Sequence, residues 1–203
     1  MQKQMKINRT GQILAIARKS GIIQARDLEK KGIARNYLYS LHKDGLLIKV
    51  GRGLYMLPDG IDEQINLIEV AKRVPNSVVC LISALSFYRL TTQLPNEVWL
   101  ALPRGAWRPQ IEYPKLNLTF VSEPAWSSSV LVNNINGVRV RIYSPAKTVA
   151  DCFKFRSKVG LDVAIESLRA VWRTRQATME ELVEAAKIDR VFRIMRPYLE
   201  AIV

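Results

Sequence analysis

The segment SPAKTVAD, residues 144–151, places a lysine and a carboxylate four positions apart. Ser144 is suited to cap a helix that begins at Pro145, and Lys147 and Asp151 would then share one helix face. Such a pair could serve phosphoryl transfer or phosphodiester cleavage, or it could be an ion pair that stabilises the helix by about 0.2 to 0.5 kcal/mol. We favour structure or partner binding, because no P-loop, HxH motif or Ser-His-Asp set accompanies the pair. The sequence therefore predicts no catalytic residues and a protein that is not an enzyme.

Residues that could bind a transition metal are scarce. Cys80 and Cys152 are isolated, and His42 is the single histidine. Zinc and iron sites need clustered cysteine or histidine ligands. The sequence therefore predicts two buried free thiols, no metal site and no cofactor.

A different set of residues has the chemistry of nucleic-acid recognition. ARNYLYSLHKDG, residues 34–45, reads as a helix in which Ala34, Leu38 and Leu41 form one arc that would face a core. Arginine can bind guanine, asparagine can bind adenine, and tyrosine or serine can reach phosphate. The face opposite the arc carries Arg35, Asn36, Tyr39, Ser40 and Lys43. The alternative interpretation is that this polar face is only solvated.

A short hairpin is predicted directly after this helix. In LLIKVGRGLYML, residues 46–57, the tripeptide Gly51-Arg52-Gly53 separates two apolar stretches. A hairpin this short is marginal alone and must pack on another element. Arg52 at its tip is placed to enter a minor groove or to contact phosphate, with Lys49 on the flanking strand.

Two further helices must position this predicted DNA-binding surface. The first, residues 10–20, would begin at Thr10 as its cap. The second, residues 23–33, would bury Leu28 and stop at Gly32. Short helices joined by a glycine turn indicate a helix-turn-helix, and the hairpin makes it a winged helix. We therefore predict a winged helix-turn-helix DNA-binding domain over residues 1–58.

The chain changes character after the turn cluster Pro58-Asp59-Gly60, which predicts a domain boundary. A helix is expected over residues 61–74, with Ile61, Ile65, Ile68 and Val74 as candidate buried positions. Residues 77–90 read as a short strand or turn that enters a buried helix. Strands are predicted over 97–103, 115–122 and 137–144, and helices follow to the end of the chain. Strands followed by a block of helices indicate an α+β domain, which we assign to residues 61–203.

The last predicted strand has a basic face. Arg139 and Arg141 point the same way because side chains alternate along a strand. The helix that begins at Pro145 adds Lys147, so these cations could form one positive surface; the alternative is a solvated face that favours solubility. The segment FKFRSK that follows contributes Lys154, Arg156 and Lys158.

The net charge of +13 and the pI of about 10.0 suggest an anionic partner. Nucleic acid fits best, with a ribosomal or membrane surface as alternatives. Residues 1–60 hold 12 Lys and Arg against 4 Asp and Glu, and residues 61–203 hold 19 against 14. No run of eighteen apolar residues and no secretory signal pattern is visible, so we expect a cytoplasmic protein without a membrane partner.

Four segments in this order resemble the AbiEi family, antitoxins of type IV toxin-antitoxin systems that are also described as transcriptional regulators of phage-defence systems. The resemblance covers nearly the whole chain, and its most specific part is LISAL followed by YSPAKTVAD. The segments are GRGLYML, CLISALSFYRLTTQLPNEVWLALP, YSPAKTVADCFKFRSKVGLDVAIESLRAV and RPYLEAI.

This resemblance implies a function for each half of the chain. The N-terminal domain would bind inverted repeats upstream of its own operon and repress it, with a homodimer on the DNA as one arrangement. The C-terminal domain would oppose a cognate nucleotidyltransferase-like toxin without needing a stable complex. Its positive surface would then engage an anionic target such as the RNA or nucleotide on which the toxin acts.

Two alternatives stay open at the level of sequence. The protein could be a stand-alone transcriptional regulator whose C-terminal domain senses a ligand or forms an oligomer. It could also be a nucleic-acid-processing enzyme that uses the winged helix for targeting. A neighbouring toxin gene would favour the antitoxin, and metal-dependent cleavage or nucleotidyl transfer would favour the enzyme.

Overall fold

The computed structural model describes residues 2–58, 64–93, 95–111 and 113–202, with side chains described from residue 9 onward. The helices are α1 (Gln2–Ser20), α2 (Ala25–Glu29), α3 (Asn36–Lys43), α4 (Ile65–Arg73), α5 (Leu81–Phe87), α6 (Pro145–Lys154), α7 (Arg156–Val159), α8 (Leu161–Arg173), α9 (Met179–Ile188) and α10 (Phe192–Ala201). The strands are β1 (Ile22–Gln24), β2 (Ile48–Gly51), β3 (Leu54–Met56), β4 (Val78–Val79), β5 (Val98–Pro103), β6 (Leu116–Val121), β7 (Val130–Ile135) and β8 (Val138–Tyr143).

The chain forms two compact units. The first comprises Met1–Arg73 and Asn133–Val140, and the second comprises Val74–Val132 and Arg141–Val203. Helix α4 and the tip of the β7–β8 hairpin thus group with the N-terminal elements. Asp59, Gly60 and Ile61, which figured in the predicted boundary and the helix after it, lie outside the described residues. The division into domains 1–58 and 61–203 stays a prediction.

The first unit combines helices with a three-stranded sheet. Its strands are ordered β1-β3-β2, and β3 is antiparallel to both neighbours. Helix α3 buries Leu38 and Leu41 as predicted, and α2 buries Leu28. The core that joins these helices to the sheet consists of Ile13, Ala17, Ile23, Leu28, Ile33, Leu38, Leu41 and Leu47.

Three sequence predictions in this unit were wrong in detail. Helix α1 begins at Gln2, so Thr10 lies inside the helix and does not cap it. Residues 23 and 24, predicted as the start of the second helix, belong to strand β1, because two β-branched isoleucines after Gly21 extend the sheet alongside β3. Ala34 is exposed, since α3 begins only at Asn36 and the helical rotation that placed residue 34 on the inner arc does not apply there.

The tip of the β7–β8 hairpin contacts the end of α1, and both belong to the first unit. A Cβ on Gly21 would lie 1.3 Å from the carbonyl oxygen of Asn136, and one on Gly137 would lie 2.5 Å from the carbonyl oxygen of Lys19. Both glycines also have positive φ angles, 67° and 77°. Backbone therefore meets backbone at this contact, which leaves no room for a side chain at either glycine.

The second unit is built around a sheet with strand order β6-β5-β4-β8-β7. Strand β4 is antiparallel to β5 and parallel to β8, and β5 is parallel to β6. The three predicted strands are confirmed as β5, β6 and β8. Strand β7 was missed, although Asn136 and Gly137, with φ of 47° and 77°, form the two-residue turn that an Asn-Gly pair favours between paired strands.

Helix α6 is the central helix of this unit. Ser144 caps it, because its Oγ accepts a hydrogen bond from the backbone N of Lys147 at 3.2 Å, and Pro145 occupies the first turn as predicted. Every residue from Ala146 to Phe153 is buried, since α6 contacts α5, α8 and α9. The predicted α+β class is confirmed. No described helix is both long enough and apolar enough to cross a membrane.

Candidate nucleic-acid interface

Helix α3 presents most of the predicted DNA-binding side chains away from the core. Leu38 and Leu41 are each 3% exposed, whereas Tyr39 is 68% exposed. Arg35, directly before the helix, and Asn36, its first residue, are also exposed. Lys43 is exposed and Ser40 is half-buried. The structure thus brings the five predicted residues of this segment to one outer face of the first unit.

The cations of this unit that were predicted to contact DNA are electrostatically available. Among the residues that the structure describes, Arg35, Lys43 and Lys49 have no ion-pair partner. The side chains of Lys49 and Arg52 are also exposed. Cations without a protein partner suit a phosphate backbone, because they exchange only solvent and counterions on binding.

His42 joins α3 to the hairpin that follows. Its Nδ1 lies 3.0 Å from the carbonyl oxygen of Leu47, and its ring packs edge-on against Tyr55 of β3 with a centroid distance of 5.9 Å. The single histidine is therefore a structural contact between the helix and the hairpin. Among the described residues no cluster of His, Cys, Asp or Glu could hold a metal ion.

The hairpin formed by β2 and β3 is supported by α4, within the same unit. A Cβ on Gly51 would lie 2.2 Å from the Glu69 carboxylate, so a side chain at the first glycine of the tip would displace that carboxylate. The second, Gly53, has φ of 73° and makes the turn. Arg73 donates a hydrogen bond from Nη2 to the carbonyl oxygen of Arg52 at 3.4 Å. Helix α4 thus holds the backbone of the tip while the Arg52 side chain remains exposed.

Glu69 and Arg73 form an ion pair, with the carboxylate buried and the guanidinium half-buried, that sequence reasoning missed. The Arg73 Nη2 to Glu69 Oε1 distance is 3.1 Å, and Glu69 is only 1% exposed. Burial raises the pKa of Glu69, and the Arg73 charge lowers it in part. A weaker pair between Lys72 and Asp27, at 4.0 Å, connects α4 to α2. The i,i+4 spacing of Glu69 and Arg73 was the signal available in the sequence.

The predicted positive surface of the C-terminal half is only partly present. Arg139 is exposed in the first unit, whereas the half-buried Arg141 belongs to the second, with its guanidinium 5.3 Å from the Trp126 ring centroid. Arg156 and Lys158 are exposed on α7. Arg156 Nη1 donates to the carbonyl oxygen of Phe153 at 3.0 Å.

Lys147 is not part of that surface, because its side chain is completely buried. Its Nζ lies 2.6 Å from Asp151 Oδ1 and 3.1 Å from Asp189 Oδ2, and it lies 4.5 Å from the Tyr143 ring centroid. The half-exposed Lys154 approaches the same Asp189 carboxylate at 3.3 Å. The predicted i,i+4 pair exists, but it belongs to a cluster of two aspartates and two lysines in which only Lys154 is partly exposed.

Burial determines the protonation of this cluster. Desolvation raises the pKa of Asp151 to about 7, although the Lys147 charge acts in the opposite direction. Burial disfavours the charged form of Lys147 too, but Asp151 and Asp189 together raise its pKa. Burial also raises the pKa of Cys80 and Cys152, which are free thiols as predicted. These groups have the properties of core residues.

Comparisons with known proteins agree with this architecture. The family model AbiEi_4, described as transcriptional regulator, AbiEi antitoxin, matches residues 12–58. The crystal structure of the RV2827C protein from Mycobacterium tuberculosis is similar over 97% of this chain and 81% of its own, with a TM-score of 0.61 and 13% identity. At that identity the likeness concerns the fold. No curated protein matches the sequence.

The matched residues, 12–58, include α2, α3 and the β2–β3 hairpin, together with the second half of α1. This match supports a role as a transcriptional regulator or antitoxin and suggests a role that is not enzymatic. The resemblance to the AbiEi antitoxins and transcriptional regulators is confirmed by the family model over residues 12–58.

Proposed function

We propose that this protein represses its own operon by binding inverted-repeat operator DNA through α3 and the β2–β3 hairpin. The observation that carries the proposal is the exposed face of α3, where Arg35, Asn36 and Tyr39 lie opposite the buried Leu38 and Leu41. A helix of this kind fits the major groove, and the hairpin tip with Arg52 would lie on the adjacent backbone or minor groove.

A gel-shift titration with the DNA upstream of the gene tests this proposal. Arg35→Ala or Asn36→Ala should weaken specific binding by about 1 to 3 kcal/mol, because each removes a base contact. Arg52→Ala should weaken binding to all sequences and lower the salt slope by about one if it contacts phosphate. If it reads a narrow minor groove, the loss should fall mainly on A·T-rich flanks.

The control is Arg169→Ala, which changes an exposed arginine of α8 in the second unit and should bind as the wild type does. Unchanged operator affinity in the Arg35, Asn36 and Arg52 variants would reject the proposal.

The same DNA also tests the stoichiometry. An inverted repeat presents two half-sites about 34 to 36 Å apart, so a homodimer would place one α3 in each. Light scattering of the complex with the whole repeat and with one half-site should give two chains and one chain respectively.

We further propose that the C-terminal half opposes a nucleotidyltransferase-like toxin without forming a stable complex with it. The antitoxin description of the matched family supports this, together with the exposed cations Arg139, Arg156 and Lys158. Co-expression with the neighbouring gene, scored by growth, is the test. The double change Arg139→Glu and Arg141→Glu, alone and with Lys158→Glu, should abolish rescue while operator binding and thermal stability persist. Rescue at the wild-type level would exclude a role for these cations in antitoxin activity.

A further inference from the structure

The second unit contains a cleft that none of the functions above uses. It lies where the residue after β5, the end of β6 with the segment 122–125, the end of α6 and the end of α9 meet, and its volume is about 470 Å³. Pockets for small-molecule ligands typically measure about 300 to 1,000 Å³. Its size therefore suits one small ligand or one unit of a polymer.

The charge of the cleft favours an anion. Arg104 and Arg190 line it and are exposed, and neither has an ion-pair partner among the described residues. The two carboxylates of the wall are already engaged. Asp189 binds Lys147 and Lys154, and Glu123 Oε2 accepts hydrogen bonds from the backbone N and the Oγ of Ser127. Two guanidinium groups thus remain free to bind phosphate.

The wall of the cleft also offers aromatic surface. Phe120 and Phe155 line it, and the guanidinium of Arg108 lies 5.8 Å from the Phe120 ring centroid. Arg108 belongs to the loop after β5, which is also attached through a hydrogen bond of 3.0 Å from the backbone N of Arg104 to the carbonyl oxygen of Val121. Between these two attachments the loop carries Trp107, whose side chain is 95% exposed.

A tryptophan that is almost fully exposed between two arginines is well suited to stack on a nucleobase. Proteins that bind single-stranded nucleic acid combine cations for the backbone with aromatic faces for the bases. We propose that this cleft binds nucleoside phosphates, with Arg104 and Arg190 on the phosphate and Trp107 stacked on a base. The ligand is either a free nucleotide or a nucleotide within single-stranded RNA.

A second cleft of the same unit supplies a matched control. It is lined by Arg89, Arg169 and Arg173, with the carboxylates Asp162 and Glu166, and its lining residues include no aromatic side chain. Its volume, about 570 Å³, is similar. Changing Arg169 and Arg173 to Gln removes the same charge as changing Arg104 and Arg190 to Gln, but from a surface without a stacking platform.

The experiment is fluorescence anisotropy of the full chain with a short fluorescein-labelled oligouridine RNA, in excess duplex DNA so that α3 is occupied. The expected result is RNA binding that weakens by about tenfold or more in the Arg104→Gln, Arg190→Gln double variant and by about tenfold in Trp107→Ala. The Arg169→Gln, Arg173→Gln control should bind as the wild type does. Arg104→Gln alone serves the same purpose if the double variant melts early.

ATP and UMP as competitors distinguish the two sources of the ligand. Displacement of the RNA by a nucleotide at moderate concentration identifies a nucleotide pocket, and RNA binding that resists both competitors identifies a single-strand site. Absence of RNA binding together with absence of direct calorimetric binding of ATP or UMP would overturn the proposal. Binding that persists in the Arg104, Arg190 and Trp107 variants, or that falls equally in the control, would overturn it too. Operator binding by α3 is measured separately, so neither result depends on the other.

Discussion

The ammonium group of Lys147 lies 3.1 Å from the carboxylate of Asp189, although the two residues are 42 positions apart in the chain. This contact joins the start of α6 to the end of α9. With Asp151 at 2.6 Å, it turns a helix pair of the kind normally found in solvent into a buried charge cluster. The role of the lysine is therefore decided by a partner from a distant helix.

Lys147→Ala should reduce the free energy of unfolding by roughly 3 to 5 kcal/mol. The change removes the cation, so the buried Asp151 loses its partner and Asp189 keeps only the half-exposed Lys154; this is a far larger effect than the loss of an exposed i,i+4 pair. Urea denaturation monitored by circular dichroism measures this difference in unfolding free energy. Lys158→Ala, which removes an exposed lysine from the same unit, should stay within about 0.5 kcal/mol of the wild type. Equal stability of the two variants would contradict the buried cluster.

Stability should fall as the pH rises from about 4 to about 7. The pKa of Asp151 in the folded protein is about 7, against an ordinary value of 3.8, so the folded state binds more protons than the unfolded state between these values. Each unit of difference between the folded and unfolded pKa corresponds to about 1.4 kcal/mol of unfolding free energy. This carboxyl therefore lowers the unfolding free energy by roughly 4 kcal/mol at most.

The variant Asp151→Asn isolates that contribution. It has no carboxyl to titrate, so its unfolding free energy should decline less over the same range, while the contribution of Glu69, whose pKa burial also raises, remains. Lys147 does not interfere, because its raised pKa affects stability only at alkaline pH. Parallel stability curves for the wild type and the variant would show that Asp151 titrates normally.

Arg73→Gln should weaken DNA binding without removing a DNA contact. Arg73 donates a hydrogen bond to the carbonyl oxygen of Arg52 and pairs with the buried Glu69 carboxylate. Without it the hairpin tip is more mobile, so DNA binding must overcome a larger loss of conformational entropy. We expect a several-fold loss of operator affinity with a largely unchanged salt slope. Lys72→Gln is the control, since the neighbouring lysine carries the same charge but pairs with Asp27 of α2. An equal loss in both variants would mean that only the net charge of α4 matters.

A fragment of residues 1–76 should melt at a higher temperature than a fragment of residues 1–60. The longer fragment retains α4, with the ion pair that supports the hairpin tip. The shorter one lacks Glu69 and Arg73, so Gly51 is exposed where it would contact Glu69. For a domain of this size each kcal/mol corresponds to roughly 4–8 °C. Both fragments should keep non-specific DNA affinity, because both contain α3 and the hairpin. If both melt at the same temperature, α4 does not stabilise the N-terminal elements.

Much of the local structure was predictable because it depends on neighbours in the chain. Leu38 and Leu41 recur at helical spacing, Ser144 and Pro145 start α6, and β8 alternates buried and exposed residues. The same local logic placed Arg35, Asn36 and Tyr39 on an outer face. The family resemblance and the α+β class were predicted from such local patterns and from their order along the chain.

The errors at β1 and at Lys147 share one physical cause, which is contact between residues far apart in sequence. Ile22 and Ile23 form a strand because β3 offers an open edge, and Lys147 is buried because Asp189 returns from α9 to meet it. The spacing of apolar or charged residues along one helix or strand describes that element alone. It contains no information about which other elements pack against it. The sequence therefore determined most of the elements, the outward face of α3 and the excess of positive charge. Tertiary packing alone decided which charges are buried, what supports the hairpin tip, and which arginines are left free to bind an anion.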